Sequence, residues 1–74
     1  MPNYIVNRNA QANGDNEVHV TPRSACSSPL YPAPENQEAL GFHASCHGAV
    51  AVAKARGYRR ANGCYYCSLP CHTS

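Results

Sequence analysis

Gly63-Cys64-Tyr65-Tyr66-Cys67-Ser68-Leu69-Pro70-Cys71-His72 holds three of the chain's five cysteines and one of its four histidines. Two thiols three positions apart, directly after a glycine, flank a tight turn and can reach one tetrahedral metal ion together. A Cys-x2-Cys pair supplies half a site, so the other ligands must come from elsewhere. His19-x6-Cys26 offers them, an imidazole at a strand end and a thiolate in the loop beyond it. The expected site is therefore His19, Cys26, Cys64 and Cys67, and the expected cofactor is a structural zinc ion. Cys71 and His72 are alternative ligands, with which the site becomes compact and C-terminal.

The rest of the composition says why such a staple is expected. In 74 residues, Ala and Cys supply 11 and 5 of the apolar positions, leaving 16 residues of Val, Ile, Leu, Met, Phe and Tyr to bury much surface. A chain this short with so thin a core relies on bridges or metal. Five cysteines cannot all pair within one chain, whereas a four-ligand site drawn from Cys and His has no parity problem. The start, MPNYIVNRN, lacks the basic and then apolar pattern of an export signal, and no segment approaches the ~18 apolar residues of a membrane span. These features predict a cytoplasmic protein without membrane contact, in a compartment where clustered Cys and His bind metal more often than they form disulfides. A secreted peptide closed by disulfides is an alternative.

Working outward, Tyr4-Ile5-Val6 and Glu17-Val18-His19-Val20 read as two strands of a hairpin whose loop carries Asn13-Gly14-Asp15-Asn16, residues that accept left-handed backbone. Alternation places Tyr4 and Val6 on one face of their strand. Val18 and Val20 likewise share a face, with His19 and Glu17 opposite. Pro22, Pro29, Pro32 and Pro34 make residues 21–38 a crossing loop. Ala39-Leu40-Gly41-Phe42 suits a third strand. Ser45 can cap a helix from Cys46 to Arg56 that Gly57 stops, its face of Cys46, Ala49, Val50, Ala53 and Gly57 narrow enough to lie against a sheet. The expected fold is one α+β domain over residues 1–74, with a small two- or three-stranded antiparallel sheet, one helix and a C-terminal Cys-x2-Cys zinc knuckle.

Over residues 18–68 the chain resembles the metal-binding domain at the N-terminus of the Ada DNA-repair protein, also found in short copies appended to bacterial nucleases. The resemblance rests on His19, Cys26, Pro34-Glu35-Asn36, Leu40-Gly41-Phe42, Ala49 to Ala53, Gly57-Tyr58-Arg59 and Cys64-x2-Cys67. It implies a single zinc site and contact with nucleic acid. It does not extend to Ada's transfer of a methyl group onto a zinc-bound cysteine of its first pair, because His19, which is no thiolate nucleophile, stands in that position. The first pair is also spaced x6 rather than x3, and Arg60 to Gly63 lengthen the approach to the second. The chain further resembles short bacterial proteins without established activity that share Asn9 to Asp15, Glu17-Val18-His19 and the ending Asn62-Gly63-Cys64-x2-Cys67-x3-Cys71-His72-Thr73.

The remaining reactive types carry weaker signals. Cys46 at the helix start is either a packed small hydrophobe, the partner of Cys71 in a disulfide, or a thiol activated by the helix dipole. His43 and His47 flank it as His-x2-Cys-His, a pattern that can hold metal but more often belongs to solvated or capping histidines. Arg56, Arg59 and Arg60, with Lys54 and the nearby Tyr58, Tyr65 and Tyr66, form the one basic cluster suited to phosphate and base stacking. Against this, the net charge is only +2, and basic residues at a helix end also serve its dipole. Asp15, Glu17, Glu35 and Glu38 form no evident catalytic dyad, so no enzyme is expected. The reading is a monomeric structural-zinc interaction module whose partner is nucleic acid or another protein. The alternative from another class is a redox-active or metal-handling thiol protein.

Overall fold

The computed structural model describes residues 1–73. Its order is β1 (Asn3–Asn7), β2 (Asn16–Thr21), β3 (Gln37–Phe42), α1 (Cys46–Ala55) and β4 (Ala61–Gly63), with 3₁₀ turns at Arg23–Ala25, Pro34–Asn36 and Leu69–Cys71. The strands form one sheet in the order β3-β1-β2-β4. β1 pairs antiparallel with both β2 and β3, while β4 runs parallel to β2, Asn16 opposite Ala61 and Val18 opposite Gly63.

The expectation of two or three antiparallel strands is thus corrected to a four-stranded mixed sheet in an α+β fold. The extra strand, Ala-Asn-Gly, has no β-branched or aromatic residue to announce it. It exists because α1 carries the chain back across the sheet and the exposed edge of β2 pairs with what arrives.

Local chemistry accounts for the other elements. The β1–β2 connection turns at Gly14, whose φ of +89° is left-handed, and the Asn13 side chain accepts a hydrogen bond from the Asp15 amide at 2.9 Å. In β3 the register slips between Tyr4 and Ile5, opposite Gly41 and Ala39 respectively. Leu40 is the additional residue, and it is the one buried residue of β3. α1 ends at Gly57, φ +104°. The Gly57 amide donates to Lys54 O and the Tyr58 amide to Ala53 O, both at 3.1 Å, the paired bonds of a Schellman cap. Ser45 occupies the N-cap position but makes no side-chain capping bond.

The sheet buries both of its faces. On one, Tyr4, Val6, Val18, Leu40 and Ala61 pack against Cys46, Ala49 and Ala53 of α1, and a disulfide joins Cys46 to Cys71. The small stripe on α1 lets helix and sheet approach closely. On the other face Ile5 packs with Cys26, Tyr31 and Cys64 beneath the crossing loop.

Candidate metal centre

His19 stands in the middle of β2 opposite Ile5, and strand alternation turns it away from α1. After β2 the chain passes Pro22 and makes the Arg23–Ala25 turn, in which the Cys26 amide donates to Arg23 O at 2.9 Å. This turn absorbs the long His19-x6-Cys26 spacing and swings Cys26 back over the strand. Cys64 follows β4 directly and extends its pairing, its amide donating to Val18 O at 2.9 Å. The chain then reverses, with Ser68 N bonded to Cys64 O at 2.8 Å, and brings Cys67 to the same place. Gly63 makes this reversal fit: a Cβ there would lie 2.5 Å from Ser68 O and 2.6 Å from Cys71 Cβ.

One ligand atom each from His19, Cys26, Cys64 and Cys67 lies within 4.8 Å of the others, a group that can hold a metal ion. His19 Nδ1 is 3.6 Å from Cys26 Sγ, which is 3.7 Å from Cys64 Sγ. Around a tetrahedral ion with metal–sulfur bonds of ~2.3 Å and metal–nitrogen bonds of ~2.0–2.1 Å, the sulfur–nitrogen edge is about 3.6 Å and the sulfur–sulfur edge about 3.8 Å. The donors are therefore spaced as two edges of such a tetrahedron. Backbone amides also point at the sulfurs, Val20 N to Cys67 Sγ and Tyr66 N to Cys64 Sγ, both at 3.4 Å. These bonds favour the thiolate form that binds metal.

Burial sets the electrostatics. It pushes the thiols of Cys26, Cys64 and Cys67 above their ordinary range, because three anions sharing a dry site are costly without a cation. A divalent ion reverses that balance. Burial also lowers His19 to about 4, so its imidazole is neutral at pH 7, the form that ligates. With Nδ1 toward the sulfurs, His19 Nε2 faces Glu17 Oε1 at 3.5 Å and is a buried nitrogen with no hydrogen-bond partner among the described residues. Glu17 is itself buried, and burial raises its carboxyl. Tyr31 covers the cluster, its ring 5.1 Å from that of His19 and its hydroxyl donating to Val20 O at 3.0 Å.

The alternative ligands are not brought in. Cys71 is bridged to Cys46, and His72 Nδ1 lies 3.0 Å from Gly63 O. The three remaining cysteines are those of the cluster. In the basic cluster, Arg56 pairs with Glu38 at 3.1 Å and donates to Ala39 O at 2.6 Å, and Arg60 pairs with buried Asp15 at 3.1 Å. Arg59 is exposed on the turn between α1 and β4.

Sequence reasoning passed over Glu17 and Tyr31 as parts of the site. The alternation of Asp15, Glu17 and His19 was a usable signal for the first; nothing in the spacing around Tyr31 marked the second. No helix among the described residues is long and apolar enough to cross a membrane. Comparisons with protein-family models, curated proteins and solved structures give no significant match.

Proposed function

We propose that this chain is a small interaction module folded around one structural zinc ion, held by Nδ1 of His19 and the sulfurs of Cys26, Cys64 and Cys67 in a C-terminal knuckle, with no catalytic activity of its own. The observation that carries the reading is the spacing of the donors, 3.6 and 3.7 Å along two edges. Three thiolates and an imidazole suit zinc, and a donor set with all four positions filled, three of them buried and Cys67 half-buried, suits a structural ion, since catalytic zinc keeps one position open. The orphaned Nε2 beside Glu17 supports the same orientation of His19, because ligating histidines direct their second nitrogen to a carboxylate or carbonyl.

Oxidised protein purified with zinc is expected to carry one equivalent by atomic spectrometry, and Cys64→Ser to lose both the ion and a dispersed NMR spectrum. A folded Cys64→Ser variant without metal would end this reading.

The partner placed first is nucleic acid, on the exposed Arg59 and on Arg60, whose side chain stays 64% exposed while paired with Asp15. Titration with single- and double-stranded oligonucleotides is expected to show binding that weakens with salt and is lost in Arg59→Ala/Arg60→Ala with zinc retained. Binding unchanged in that variant would remove the assignment.

A further inference from the structure

We propose that Cys46, His47 and Cys71 form a second metal site, on the face of the sheet opposite the first, which comes into being when the Cys46–Cys71 bridge is reduced. Ligand atoms of these three residues lie within 4.8 Å of one another. Cys46 and His47 open α1, and Cys71 ends the Leu69–Cys71 turn packed beside them. Both cysteines are buried, while His47 is exposed at the lip of a cleft of about 240 Å³ that Cys71, Lys54 and Thr73 also line. Solvent in that cleft can complete the coordination of an ion held by three protein ligands.

The two states use the same sulfurs. A dithiol delivers two electrons and two protons, the S–S bond breaks, Cys46 and Cys71 emerge as thiols, and the dithiol leaves as a disulfide. A divalent zinc ion then displaces the two thiol protons and bonds both sulfurs and the His47 imidazole. The helix N-terminus at Cys46 favours its thiolate. The linkage between α1 and the tail persists in both states, as a covalent bridge in one and a metal clip in the other. Such a chain keeps its second staple in a reducing compartment, where disulfides do not last. His43 stays outside the site, its Nε2 engaged with Leu40 O at 2.7 Å.

The test counts zinc by native mass spectrometry in oxidised protein and in protein reduced with a water-soluble phosphine, both with excess zinc. Reduction is expected to raise the count from one to two. The second equivalent is expected to disappear in Cys46→Ser/Cys71→Ser and to dissociate more readily in His47→Ala, the first being untouched in both. A reduced chain that still holds one zinc while Cys46 and Cys71 alkylate freely, or that unfolds despite zinc, overturns the proposal. An oxidised chain that binds none instead defeats the first site alone, since the second is read from the increment on reduction.

Discussion

Glu17 lies two residues from His19 on the same face of β2, and its side chain faces an imidazole with 0% exposure across 3.5 Å. A buried carboxylate normally costs stability unless it is paired. Once Nδ1 is committed to a metal, Nε2 must carry the proton, and the carboxylate becomes its acceptor. This pairing fixes the tautomer and makes the imidazole a stronger ligand. Replacing such a partner typically weakens metal binding by ~10–100-fold. Glu17→Gln, nearly the same size without the charge, is expected to fall in that range when the protein competes with a chelator for zinc. Equal affinity in variant and parent would show that Glu17 only fills space. Alternation in the strand makes the pair readable from sequence, but their burial is not, because it depends on the loop that folds over them.

β4 is three residues long, and its value lies in where it delivers Cys64. Its last residue, Gly63, is pressed against Ser68 O and Cys71 by the reversal that follows. A methyl group there cannot be absorbed by rotating a side chain, since backbone stands in the way. Gly63→Ala is expected to lower stability by ~1–3 kcal/mol or more, read as a lower denaturant midpoint in zinc-saturated protein. An unchanged midpoint would mean that the turn yields without cost. α1 offers the contrast: its start, small-residue face and glycine stop are all local signals, and it spans Cys46–Ala55 against an expected Cys46 to Arg56. Helices declare themselves through neighbours three and four residues apart, whereas the β2–β4 pairing joins residues some 45 positions apart (Asn16 with Ala61).

At the scale of the molecule, one thin sheet lies between a disulfide on one face and, on the other, a four-residue cluster that could hold a metal ion. The disulfide ties α1 to the tail on one face, and an ion held by the His19–Cys26–Cys64–Cys67 cluster would tie the first hairpin and crossing loop to the tail on the other. Structural zinc contributes ~10–16 kcal/mol in small peptides, comparable to the whole stability of an ordinary domain, ~5–15 kcal/mol. Stripping zinc from oxidised protein with a strong chelator is therefore expected to collapse NMR dispersion throughout the chain, the bridge notwithstanding. A spectrum that stays dispersed around α1 would show the disulfide face to be self-sufficient.

Residue types and short spacings were enough to read the chemical inventory and the local elements: which residues can ligate, where the chain turns at Gly14 and Gly57, and where the helix begins. Those features depend on residue type and short spacing. The tertiary structure alone decided that β4 joins the sheet in parallel, that Cys71 bonds Cys46 and stays out of the four-residue cluster, that Glu17 and Tyr31 enclose His19, and that Arg56 and Arg60 are engaged by acids. Each of these depends on which distant segments share a face of the sheet, and the energy of such contacts is set by burial and packing that spacing along the chain does not encode.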